Sequence, residues 1–324
     1  MVAKKVLALV IMTTVLVITG CQAKDGNVTT IGINQLIAHE ALDASREGFL
    51  EVLKENGYTE GENLEIDYKN AQGEGPTALA IAQEFSEEKK DLVFAIGTGS
   101  AQASYNANKE IPILITAVTD PVDAGIVESF EKPETNVTGT SDGVPIEPQL
   151  ELMKKIFPDL KTIGVIYTTA EPNSEYQVRK LREATAKLGL TLKEVGIDTL
   201  NDVGSVLPSM LEEIEVLYTP TDNKVASAYA LIVKLANDKN IPVFCAEDAG
   251  VTVGGLISAG LDYHTLGRET GEMAVQVLKG TLPKDLAVKT QQKPVIVVNA
   301  EVAKAFGITI PQEVLDEAKV LGGN

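Results

Sequence analysis

An α/β fold of two similar lobes, each a parallel sheet flanked by helices, is predicted by three observations. Short apolar runs alternate with segments of helical periodicity from residue 29 to 120. The same alternation starts again from residue 160 to 260. The chain has 324 residues, 44% of them hydrophobic, which is enough to bury two separate cores. Repeated strand–helix units imply parallel strands with right-handed crossovers. A chain that passes between the lobes several times makes a hinge of short segments, which favours closure over free tumbling.

Lys4 and Lys5 precede an apolar run over residues 6–18. This is the pattern of a signal peptide over residues 1–20, and it is too short for a spanning helix. The run ends Val17-Ile18-Thr19-Gly20-Cys21, which resembles the bacterial lipobox. Cys21 is therefore the expected acylation site, with palmitate as the expected acyl group. Polar residues in the stretch 21–28 would form the tether. Acyl chains contribute roughly 0.8 kcal/mol per buried CH₂, so several of them hold a soluble body at a membrane.

Strands are expected at 30–34, 64–69, 92–96 and 113–116, with helices at 39–56 and 76–88. Leu42, Phe49, Leu50 and Leu53 share one helical face, and Gly57 fits a C-terminal stop. A small-residue helix opens after Gly97. The residues 136–142 and a helix at 148–157 would cross to the second lobe. There, strands are expected at 162–167, 191–195, 216–218, 242–245 and 255–258, and helices at 173–188, 202–212 and 222–239. A helix at 263–279 and a strand at 295–299 complete the chain. The expected lobes are residues 29–143, completed by about 280–324, and residues 144–279.

Composition excludes several functions. A net charge of −18 repels nucleic-acid phosphates. Two cysteines and two histidines are too few for a disulfide framework or a Cys/His zinc site, and no cofactor or metal is expected. His39 and His264 read as surface or capping residues. Cys245, in the apolar setting Val243-Phe244-Cys245-Ala246, reads as a buried structural thiol. The run Gly97-Thr98-Gly99-Ser100-Ala101-Gln102 begins like a dinucleotide fingerprint but ends in glutamine. Neither a Walker pattern nor a Gly-x-Ser-x-Gly elbow is present, so an enzyme is not expected.

Several segments carry a family resemblance. Asn70-Ala71-Gln72-Gly73, the run Thr116-Ala117-Val118-Thr119-Asp120-Pro121-Val122 and Asn136-Val137-Thr138-Gly139 belong to the first half. Glu171-Pro172-Asn173-Ser174, Thr221-Asp222-Asn223 and Gly260-Leu261-Asp262-Tyr263 belong to the second. In this order they resemble the ABC-transporter substrate-binding lipoproteins of the tryptophan/tyrosine type. The resemblance covers residues 31–311. It implies a type I periplasmic-binding-protein fold and an extracytoplasmic, membrane-anchored monomer that hands a ligand to an ABC permease. It also implies an aromatic amino acid as that ligand. A sensing or adhesive surface lipoprotein would share the same fold.

In open α/β sheets, ligands sit beyond the carboxyl ends of the strands. Thr98, Ser100 and Ala101 open a helix there and offer a hydroxyl and N–H groups to an α-carboxylate, although Ser100 could equally be a plain cap. Thr119 and Asp120 follow the next strand, and Asp120 before Pro121 fits a turn as well as a ligand. An α-ammonium needs a carboxylate, and the candidates are Asp142, Glu171, Asp222, Glu247 and Asp262. Asn173, Ser174 and Asn223 stand beside two of them. Asp222 and Glu171 are the first choices for bridging to the ligand as the lobes close. Gln35, Tyr105, Tyr167, Tyr229 and Tyr263 are candidates for the walls around an aromatic ring.

Overall fold

The computed structural model describes residues 28–291 and 293–322. The signal peptide, Cys21 and most of the tether lie outside the described residues. Among the described residues, no helix is long and apolar enough to cross a membrane.

The first lobe follows the expected order. β1 (Thr29–Gln35), α1 (Glu40–Glu55), β2 (Leu64–Asn70), α2 (Gly75–Glu87), β3 (Leu92–Ile96), α3 (Thr98–Ala107), β4 (Ile113–Val118) and β5 (Val137–Ser141) succeed one another. The second lobe runs α4 (Ile146–Ile156), β6 (Thr162–Thr168), α5 (Pro172–Lys187), β7 (Thr191–Ile197), α6 (Val203–Met210), β8 (Val216–Thr219), α7 (Asn223–Ser227), α8 (Tyr229–Asp238), β9 (Val243–Cys245), α9 (Asp248–Thr252) and β10 (Ile257–Gly260). The tail adds α10 (Tyr263–Leu278), β11 (Lys289–Thr290), β12 (Val295–Asn299) and β13 (Lys319–Leu321).

Two sheets result, in the orders β11-β5-β4-β3-β1-β2 and β13-β12-β10-β9-β8-β6-β7. All pairings are parallel except β10 with β12. The central strands are buried on both faces, which is why β3 reads Leu-Val-Phe-Ala-Ile without alternation. One apolar layer of the first lobe joins α1 to the sheet, and the other joins α2 and α3. The second lobe is layered in the same way. Cys245 is fully buried, and burial pushes its thiol up to about 12.

The tail differs from the expected division. α10 lies along α1 and against β4 and β5, so it belongs to the first lobe and not to the segment 144–279. β11 also joins the first sheet, but β12 and β13 join the second, so residues 295–321 do not complete the first lobe. Helical periodicity shows that a helix has a buried face. It does not say which of two sheets that face will meet. The expected single helix over 222–239 is also broken, at Ala228, into α7 and α8.

α1 and α10 approach closely because glycines meet backbone. A Cβ on Gly267 would lie 1.9 Å from Ser45 O, and one on Gly48 would lie 2.2 Å from His264 O. A side chain at either position would force the helices apart. Gly267→Val is expected to lower unfolding free energy by roughly 3 kcal/mol or more, read by chemical denaturation.

Candidate functional site

The carboxyl ends of both sheets face each other, and their loops meet. His39, just before α1, reaches Asn223 at the start of α7 (Nε2 to Oδ1, 3.4 Å). Arg179 on α5 donates to Asp123 in the first lobe at 2.5 Å. Gly97 holds φ at 91°, and its Cα approaches so closely that a Cβ would be 3.2 Å from Leu36 and 3.7 Å from Asn223 Oδ1. The lobes are therefore in contact across the cleft.

On the first lobe, Gly97 ends β3 and α3 begins at Thr98 without a side-chain cap. Ala101 N–H already donates to Gly97 O, so it offers nothing to a ligand. The N–H groups of Thr98, Gly99 and Ser100 find no acceptor among the described residues. Three free donors at the positive end of a ten-residue helix form an anion seat. Ser100 is neither cap nor free ligand group, because its hydroxyl donates to Asn34 Oδ1 at 3.1 Å. Thr98 Oγ1 is buried and unpartnered. Thr119 is buried beside it in the next loop, its carbonyl accepting from Ser141 Oγ.

On the second lobe, Asp222 is tied into the fold. Its Oδ2 accepts from Thr168 N–H at 2.5 Å and Ser174 Oγ at 2.7 Å. Its Oδ1 accepts from Thr168 Oγ1 at 2.8 Å and Val225 N–H at 2.9 Å. Glu171 holds the start of α7 through Asn223 N–H, Asn223 Nδ2 and Lys224 N–H. Burial, then the Asp222 charge, pushes Glu171 up to about 7. Both first-choice carboxylates thus already have hydrogen-bond donors. Asn173 donates to Glu171 and Thr221 O, which leaves its Oδ1 buried and free.

The carboxylates with unfilled positions are two others. Asp142, where the chain leaves β5, accepts from the Tyr263 hydroxyl at Oδ2 (2.9 Å), while its Oδ1 is buried and unpartnered. Glu247, between β9 and α9, is 2% exposed with Oε2 unpartnered. Burial raises both above the ordinary carboxylate range, and surrounding carboxylates raise Glu247 further. The one buried Lys or Arg among the described residues is Lys90, tied to Asp67 and Glu88 outside the cleft. The buried rings of Tyr229 and Tyr263 stand near these acids.

Three expected site residues have other hydrogen-bond duties. Gln35 is buried with both amide ends engaged, by Ile37 O, Asp43 and Arg46. Asp262 is exposed and caps α10 through Thr265 N–H. Asp120 makes the turn that Pro121 foreshadowed, accepting from Val122 and Asp123 N–H. Of the tyrosines, Tyr167 belongs to the core, and Tyr105 lies under the Lys109 ammonium. Conversely, Ser258 Oγ, which sequence reasoning passed over, is buried and unpartnered, and so is Nδ1 of His39, which was expected at the surface or as a cap and makes no side-chain cap bond. Ser258 was hidden inside an apolar strand. His39 carried a usable signal, since it follows the end of β1 as the other site loops follow their strands. Burial holds its imidazole down to about 4, so it is neutral near pH 7.

Residues 30–321 match the profile of the ABC transporter substrate binding protein family. The chain belongs to that family. Its members are extracytoplasmic solute binders and not a family of catalysts. The chain is 43% identical over 319 residues to the tyrosine-binding protein of Clostridioides difficile (strain R20291), covering 94% of this chain and 92% of the relative. It is similar to the ABC domain in complex with L-Trp from Streptococcus pneumonia (36% identity, TM-score 0.87, 91% of this chain and 99% of that one). It is also similar to the ligand-free, open structure of a substrate binding protein with adhesive properties from Clostridium difficile (47% identity, TM-score 0.70, 92% and 100%). The fold is the type I periplasmic-binding-protein fold. The more identical relative, whose structure is ligand-free and open, superposes less well. Together with the His39–Asn223 and Asp123–Arg179 contacts, this marks the present arrangement as closed.

The four hydrogen bonds to Asp222 make it a fold-stabilising residue of the second lobe. Asp222→Ala is expected to cost roughly 3 kcal/mol of unfolding free energy without ligand, read by denaturant titration.

Proposed function

We propose that this protein captures an aromatic amino acid between its lobes and delivers it to an ABC permease. Its anchor in this reading is a lipid on Cys21, which holds a monomer on the extracytoplasmic face of the cell membrane through the tether 21–28. The observation that carries the ligand reading is the complementarity of the unfilled groups. Free N–H groups of α3 and the Thr98 hydroxyl form one set. The unpartnered oxygens of Asp142 and Glu247 form a second set. An anion fits the first set and a cation the second, which is the charge pattern of a zwitterionic amino acid. Tyr229 and Tyr263 supply apolar ring surface beside them, as an aromatic side chain needs. The tyrosine-binding relative and the L-Trp complex support the same class.

Ligand holds the closed form only by its differential affinity for it, so the groups that meet it from both lobes carry the closure. L-Tyrosine, L-tryptophan or L-phenylalanine is expected to raise the melting temperature, while sugars and nucleosides leave it unchanged. Glu247→Gln removes a buried counter-charge and is expected to weaken binding on the order of 100-fold by titration calorimetry. Retained affinity in that variant would exclude Glu247 as the ammonium partner. Cys21→Ser is expected to move the protein from the membrane to the soluble fraction of fractionated cells.

A further inference from the structure

The two carboxylates with unfilled positions are brought together by one short turn. Gly260, the last residue of β10, presses against the turn after β9, so that a Cβ there would be 2.1 Å from Ala246 O and 3.6 Å from Glu247 Cα. Three residues later, the Tyr263 hydroxyl donates to Asp142. Asp142 and Glu247 therefore flank the Gly260–Tyr263 turn, 3% and 2% exposed, each with an oxygen that nothing fills.

The groups that face them are acids or neutral. Toward Glu247 come Asp142 from the hinge, Asp248 of α9, Asp222 before α7 and Glu171 before α5. Tyr229 of α8, Tyr263 of α10 and Cys245 of β9 complete its ionisable surroundings. Asp142 faces Tyr263, the Thr119 hydroxyl and Glu247. None of these neighbours is a cation, and His39 is neutral in the closed form near pH 7. Asp222 and Glu171 have their own donors, as described above. Asp142 keeps an open Oδ1 beside the Tyr263 bond on Oδ2, and Glu247 keeps an open Oε2.

An amino acid brings one ammonium, and one ammonium neutralises one carboxylate. The other would remain a buried anion beside like charges, a state that carboxylate pairs avoid by sharing a proton. We propose that the closed, ligand-bound protein holds one proton on the Asp142–Glu247 pair, taken up from solvent as the lobes close around the amino acid. This rests on the amino-acid reading of the cleft. In the open form water reaches both acids and both are ionised near neutral pH. Closure removes that water, and burial then favours the protonated form of whichever acid the ammonium does not pair. Because a proton binds with the ligand, affinity falls as pH rises above the ordinary carboxylate range, by up to tenfold per pH unit.

The test is titration calorimetry of the full chain in detergent with L-tyrosine and L-tryptophan at pH 7, in phosphate and in Tris. The two buffers differ in ionisation enthalpy, so the difference in apparent binding enthalpy counts protons. Uptake of about one proton per ligand bound is expected. In Asp142→Asn the count is expected to fall close to zero, because the remaining carboxylate pairs with the ammonium. Glu247→Gln gives the same loss of uptake by the same reasoning. Binding with no proton exchanged, or with protons released, overturns the shared proton and leaves the amino-acid reading standing. Failure of every amino acid to bind overturns both.

Discussion

Buried negative charge without a buried counter-charge is the constraint on which the rest of this structure turns. Water cannot solvate Asp142 and Glu247 once the lobes meet, and no lysine or arginine accompanies them. A closed, empty cleft is therefore poor company for its own side chains. Electrostatics therefore opposes closure without a ligand, with no need for a spring in the hinge. The free N–H groups at the start of α3 act in the same direction, since they too lack partners in the closed arrangement.

The neighbouring acids show how the fold separates two uses of one residue type. Asp222 and Glu171 stand as deep as Glu247, yet main-chain and side-chain donors fill their oxygens and fix the loops after β6 and β8. Asp142 has a donor on one oxygen only, and Glu247 keeps Oε2 unpartnered. Some carboxylates of the cleft are thus fastened into the fold and others keep an open position, by whether the chain turns a donor toward them.

The strand–helix alternation and the placement of site loops at strand ends could be read from the sequence because both follow from local periodicity and turn chemistry. The anion seat at Thr98 was legible for the same reason: a glycine turn into a helix is a local event. The partition of α10 and of β12 was not, because a buried face does not name its partner. Nor could the sequence separate Asp222 from Glu247. Both follow a strand and precede a helix, and only the donors brought in from Thr168 and Ser174, some fifty residues away, distinguish a fastened acid from a free one. Ser258 escaped notice because a lone hydroxyl inside Gly-Leu-Ile-Ser-Ala-Gly reads as strand filling.

Because α10 and β11 return to the first sheet before β12 and β13 rejoin the second, neither lobe is a continuous piece of chain. The first lobe lacks one of the two helices that cover the same face until residue 278 has been made, and the second sheet lacks two strands until residue 321. Contacts of such long sequence separation form late. The nascent chain accordingly leaves the ribosome nearly whole before either core can close.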